Sequence, residues 1–183
     1  MSNLGLKEIK IPSNLKLTLN SNVLKIEGIF GKTEYTLDSR FILKMVDENI
    51  LKFYPKDETD IKAQKQLKQL WGTQHSLLKN HLEGLSRGYK KVLELIGVGF
   101  RATIVDNTLK MKLGYSHEVI FQIPTDILIQ CPKQDKIIVF GLSKQRVHEV
   151  ITKIQRLKKI DLYKGKGILV ENTKLRLKEG KKK

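Results

Sequence analysis

The sequence predicts an α+β protein of two similar tandem domains, each a mainly antiparallel sheet packed against an amphipathic helix, followed by a basic C-terminal extension. Three observations lead there. Short alternating apolar segments fill the first third and give way to a helical period. The same order of elements then returns at a nearly constant offset. Half of the net positive charge lies in the last 28 residues.

Taken in order, Leu15, Leu17 and Leu19 alternate with Lys16 and Thr18, which puts three leucines on one face of a strand. Asn20-Ser21-Asn22 marks a turn, after which Leu24 and Ile26 alternate with Lys25 and Glu27. Further short strands are predicted over 33–37, 42–46 and 50–54. Beyond Pro55, Ala63, Leu67, Leu70, Trp71, Leu77, Leu78 and Leu82 recur at three or four, as on one face of a helix. Thr59 or Asp60 is placed to cap its start, Gly84 to end it, and Gly72 weakens its middle by about 1 kcal/mol relative to alanine. Two long strands follow over 92–105 and 108–123, joined at Asp106-Asn107, then shorter ones over 127–131 and 136–140. Ser143 caps a second helix with the apolar stripe Val147, Val150, Ile151, Ile154 and Leu157.

The halves match residue by residue. Asn22-Val23-Leu24-Lys25-Ile26 corresponds to Asn107-Thr108-Leu109-Lys110-Met111, Ile42-Leu43 to Ile127-Leu128, and Phe53 to Phe140 after two extra residues. A nearly constant offset favours duplication over a chance likeness of two antiparallel units. The domains are read as 1–84 and 85–162, with a boundary where Gly84, Ser86 and Gly88 cluster, and a tail over 163–183.

Charge narrows the function. Thirty-five Lys and Arg against nineteen Asp and Glu give +16, and the pI is near 9.8. Such a surface attracts polyanions, of which nucleic acid is the commonest. No apolar run approaches the roughly 18 residues of a membrane-spanning helix. A single cysteine, Cys131, leaves no internal disulfide and fits a reducing compartment.

Catalytic readings fail on spacing. Gly97-Val98-Gly99-Phe100-Arg101-Ala102 fits the G-x-G-x-x-A dinucleotide fingerprint, which works only between a strand and a helix. Here Ala102, Thr103, Ile104 and Val105 continue a strand, so the glycines are read as a bulge or a close backbone approach. His75, His81, His117 and His148 are not spaced as a zinc pair, and Asp57, Glu58 and Asp60 offset a helix dipole. The chain is read as non-enzymatic, with no metal site, cofactor or small-molecule substrate. An enzyme using Cys131 or His117 is the reading this sets aside.

Tyr163-Lys164-Gly165-Lys166-Gly167 points instead to RNA: two lysines between glycines on a flexible stretch suit a phosphate backbone, and the tyrosine offers a ring for stacking. Arg156, Lys158 and Lys159 precede it and Lys174, Arg176 and Lys178 follow it. These residues, with Arg101 and His117, form the expected RNA-binding set.

Leu93-Glu94-Leu95-Ile96-Gly97-Val98-Gly99-Phe100-Arg101-Ala102, Leu113-Gly114-Tyr115-Ser116-His117 and the Tyr163 to Gly167 segment, in that order, closely resemble the bacterial-type L-six family of large-subunit ribosomal proteins. Met1-Ser2, Gly5, Ile11-Pro12, Gly72-Thr73, Ser76-Leu77 and Gly84 are similar too. The resemblance implies two similar α+β domains and no enzymatic activity. It also implies a C-terminal domain and tail on large-subunit rRNA near the sarcin–ricin loop and stalk base, with neighbouring ribosomal proteins, where translational GTPases dock. A free-standing RNA-binding regulator or RNA chaperone of the same fold is the alternative. Two features depart from the family pattern. Ile160 and Leu162 stand where the family usually has prolines, so the second helix is expected to run further, and Phe100 replaces a more usual tyrosine. Six arginines among 35 basic residues, many Ile and Asn, and a start where bacterial members start suggest AT-rich coding without a transit peptide. The Leu70-Trp71-Gly72-Thr73 segment resembles mitochondrial members, which makes a mitochondrial ribosome the expected location ahead of plastid or bacterial cytoplasm.

Overall fold

The computed structural model describes residues 7–20, 23–47, 50–56 and 61–180, with the backbone alone at 47, 55 and 61–68. The chain divides into two compact units, Met1–Gly88 and Tyr89–Lys183.

In the first unit, β2 (Lys16–Asn20), β3 (Val23–Gly28) and β4 (Gly31–Thr36) form one antiparallel sheet in that order. The second sheet has the order β1 (Ile9–Lys10), β6 (Ile50–Pro55), β5 (Phe41–Asp47). Helix α1 (Ile61–Arg87) closes the unit. It passes Gly72 unbroken and overruns the expected stop at Gly84. Gly88 ends it, at φ +69°, where its N–H donates to the Gly84 carbonyl at 2.9 Å. The buried face of α1 is Leu78, Leu82 and Leu85 with His75, whereas Leu70, Trp71 and Leu77, expected in the core, are only partly buried. The burial of Ala63 and Leu67, the capping by Thr59 or Asp60, and the acidic cluster lie outside the described residues.

The second unit repeats this plan. Strands β8 (Arg101–Val105), β9 (Thr108–Lys112) and β10 (Val119–Gln122) form one sheet. The other has the order β11 (Ile127–Lys133), β12 (Lys136–Gly141), β7 (Tyr89–Ile96), β13 (Gly167–Val170). Reading β7 for β1 and β12 for β6 reproduces the first unit's order, with β13 added at the edge. The β5–β6 ladder shifts register between Met45 and Asp47, and the β11–β12 ladder shifts between Gln130 and Lys133, at equivalent places. Helix α2 (Lys144–Leu157) starts at Ser143, whose side chain accepts from the Arg146 N–H, and buries Val147, Val150, Ile151 and Ile154.

Three expectations need correction. The two long strands over 92–105 and 108–123 are four, because each is interrupted by a turn that uses a glycine at positive φ, Gly99 at +76° and Gly114 at +73°. The second helix does not run on for want of prolines. Lys158 leaves it in an extended conformation, and its carbonyl accepts from Ile168 N–H at 3.2 Å. Residues 163–183, read as a tail, are not wholly separate from the second domain either. Strand β13 pairs with β7, and Ile168 is 2% exposed within the core formed with Leu93, Ile137 and Ile154. After Glu171, whose N–H donates to the Val92 carbonyl at 2.9 Å, the chain continues to Gly180 without helix or strand.

A candidate RNA-binding groove on the second unit

The groove grows from three segments. The first is the turn Gly97-Val98-Gly99-Phe100, closed by Phe100 N–H donating to the Gly97 carbonyl at 3.2 Å, with Gly99 at the turn position that demands positive φ. A Cβ on Gly97 would lie 2.9 Å from the Phe100 ring, and one on Gly114 3.3 Å from it. The ring is therefore held against two side-chain-free stretches of backbone. The close approach expected of these glycines is found at Gly97. At Gly99 a Cβ would meet nothing within 4 Å, so φ alone requires glycine there.

The second segment is the turn after β9. Tyr115 Oη donates to the Leu157 carbonyl at 3.0 Å, using one of the acceptors left over at the end of α2. Lys158 Nζ stands 4.2 Å from the centre of the Tyr115 ring, and the His117 ring lies nearly parallel to it, 6.1 Å away.

The third segment is the expected binding motif, which is not the flexible stretch anticipated. Asp161 N–H donates to the Lys166 carbonyl at 2.8 Å and Gly165 N–H to the Asp161 carbonyl at 2.7 Å. Tyr163 N–H donates to Asp161 Oδ1 at 2.9 Å, and Lys178 N–H to the Leu162 carbonyl at 2.9 Å. Gly165 turns the loop at φ +69°. Gly167 was expected to let the backbone approach RNA. It is instead buried, because a Cβ there would sit 2.6 Å from Ile160 Cα and 2.9 Å from the Lys159 carbonyl oxygen.

Together these segments enclose an open groove of about 620 Å³. Phe100, Leu113, Tyr115 and Leu157 supply apolar surface, and Arg156, Lys158, Lys159 and Lys166 line it with positive charge. Asp161 is its acidic member, with one carboxylate oxygen taken up by the Tyr163 N–H. Four of the expected residues thus converge, Arg156, Lys158, Lys159 and Lys166. Tyr163, Lys164 and Gly165 sit on the adjoining loop, with Tyr163 exposed. His117 reaches the groove only through Tyr115. Arg101, Lys174, Arg176 and Lys178 are exposed and do not line it.

Elsewhere the chemistry is structural. Burial pushes the Cys131 thiol pKa up, away from the thiolate a nucleophile needs. His75 is buried in the first unit, with Nε2 donating to the Lys7 carbonyl at 3.0 Å, and His81 packs on Tyr35. Among the described residues no three His, Cys, Asp or Glu side chains gather as a metal set, and no helix is long and apolar enough to cross a membrane.

Comparison with known proteins decides the family. The family model described as Ribosomal protein L6 matches residues 96–171. The large ribosomal subunit protein uL6m of Reclinomonas americana is 40% identical over 185 residues, covering 100% of both chains. Large ribosomal subunit protein uL6 of Spiroplasma citri is 42% identical over 181 residues, covering 99% of this chain and 98% of the relative. That of Methylorubrum extorquens strain PA1 is 36% identical over 183 residues, covering 100% of each. The chain belongs to the uL6 family of large ribosomal subunit proteins.

Every side chain lining the groove falls inside the span that the uL6 family model matches, while Lys174, Arg176 and Lys178 lie beyond it. The apolar wall is what sequence reasoning missed. Phe100 and Tyr115 were visible as parts of uL6-like motifs but not as neighbours of the lysines. The available signal was that each aromatic adjoins a glycine turn, where a ring can lie across bare backbone.

Proposed function

We propose that the chain is a structural constituent of the large ribosomal subunit, and that its second unit binds large-subunit rRNA through the groove and the Tyr163 to Gly167 loop. The convergence of Arg156, Lys158, Lys159 and Lys166 on one groove carries this reading. Basic side chains that neutralise phosphates release condensed counterions, and their common placement on one groove fixes the register of the protein on RNA. The loop is rigid because Asp161 ties it internally and β13 ties its far end to the sheet. In this role the protein positions RNA and performs no chemistry.

The family resemblance supports a binding position near the sarcin–ricin loop and stalk base, beside neighbouring ribosomal proteins and the docking place of translational GTPases. A mitochondrial ribosome is the proposed location, supported by the 40% identity to uL6m of Reclinomonas americana. The test is sedimentation of a tagged chain through a salt-washed sucrose gradient, followed by RNA crosslinking. The chain should stay with the large subunit and crosslink through the loop to the sarcin–ricin region. Release into the free fraction would mark a free-standing RNA-binding protein and overturn the reading.

A further inference from the structure

We infer that the groove takes one unpaired nucleotide of its RNA, with the base held on the Phe100 and Tyr115 walls and the flanking phosphates on Lys158, Lys159 and Lys166. The inference rests on the RNA-binding reading of this site and adds the form of the ligand. Three observations carry it. The first is size: the groove is open, and its volume of about 620 Å³ matches that of sites that take one small organic ligand, roughly 300–1,000 Å³.

The second is the distribution of polarity. A site for duplex backbone alone needs a charged ridge, and apolar surface beneath it adds nothing. Here Phe100, Tyr115 and Leu157 place apolar surface in the same groove as the basic side chains. That is the complement of a nucleotide, an aromatic body joined to an anionic edge.

The third is preorganisation. Gly97 and Gly114 hold the Phe100 ring in place, and the hydrogen bond to the Leu157 carbonyl fixes Tyr115. Neither ring has to be ordered when a base arrives. The Lys158 ammonium, which stands over the Tyr115 ring in the free protein, is on a flexible stem and can move onto a phosphate as the base takes its place.

Two RNA hairpins test this, identical except that one carries a single bulged 2-aminopurine in its stem. Each is titrated with the full chain at matched salt by fluorescence anisotropy. The bulged hairpin should bind about tenfold more tightly, in line with the stacking of one base, and its 2-aminopurine emission should fall on binding. Tyr115→Ala should abolish that preference, so that the bulged and paired hairpins bind equally. Phe100→Leu, which keeps apolar bulk without a ring, should do the same, and Tyr115→Phe should retain the preference. Equal affinities with unchanged emission, both hairpins still bound in a salt-dependent way, would overturn the nucleotide site and leave rRNA binding standing. Failure to bind either hairpin would overturn both.

Discussion

The hydroxyl of Tyr115 donates to the main-chain carbonyl of Leu157, joining the turn after β9 to the last turn of α2 across 42 residues of sequence. It holds one aromatic wall of the groove in place. Tyr115→Phe should cost about 0.5–1 kcal/mol in denaturant unfolding, as for the loss of one partly exposed hydrogen bond. A midpoint unchanged from the parent protein would show that the bond is not formed in solution.

Gly97 and Gly99 need glycine for different reasons, so alanine should separate them. Gly99→Ala has open space but must hold φ +76°, and should lose about 1–2 kcal/mol of stability with RNA affinity intact. Gly97→Ala drives a Cβ to within 2.9 Å of the Phe100 ring, which must then shift the groove wall, so RNA affinity should fall as well. A dinucleotide should leave the Tm of the parent and of both variants unchanged. Binding of a dinucleotide that vanished in Gly99→Ala would restore the fingerprint reading.

Truncation should divide the C-terminal region in two. Removing 163–183 takes Ile168 out of the core, at about 1.5–3 kcal/mol for that side chain alone, or on the order of 10 °C in the Tm of the second unit. Removing 172–183 spares β13 and should leave Tm nearly unchanged. Its effect should appear instead in the salt dependence of RNA binding, whose log–log slope should flatten by roughly 0.7–0.9 for each phosphate that the shortened chain no longer neutralises. Equal Tm losses for the two truncations would show that β13 does not contribute to stability.

Acid should weaken the first unit. Burial lowers the pKa of His75, whose single described partner is the Lys7 carbonyl, and burial alone lowers that of His81. Both folded-state values lie below the unfolded value near ~6.5. The unfolded chain therefore takes up protons first as pH falls. The stability these groups contribute is complete above about pH 6.5 and is lost as pH drops through their folded values. Unfolding of the first unit followed from neutral to mildly acidic pH should show this slope, and His75→Gln should flatten it.

Much of the fold was legible because period and turn chemistry act locally. Leu24 and Ile26 declare a strand, Ser143 a cap, and the offset from Leu24 to Leu109 a duplication. What escaped depends on distant partners. Ile168-Leu169-Val170 is a short apolar run among basic residues, and only pairing with Leu93, Glu94 and Leu95 makes it a strand. The basic members of the groove showed themselves as charge. Its walls did not, since Phe100 and Tyr115 come from separate turns that the sheet brings together. Gly167 misled for a similar reason: its bare backbone faces Ile160 rather than a ligand.

The added strand β13 also sets an order of events during synthesis. Domains fold in turn as a chain emerges, at roughly 5–20 residues per second. The first unit holds all its strands by Pro55 and its helix by Arg87. The second reaches α2 with a three-stranded sheet and gains the fourth only after Val170 has been made. Lys166 lies immediately before that strand, so the basic rim closes last. A nascent chain therefore presents a finished first unit while the basic groove of the second still waits for the strand that completes its sheet.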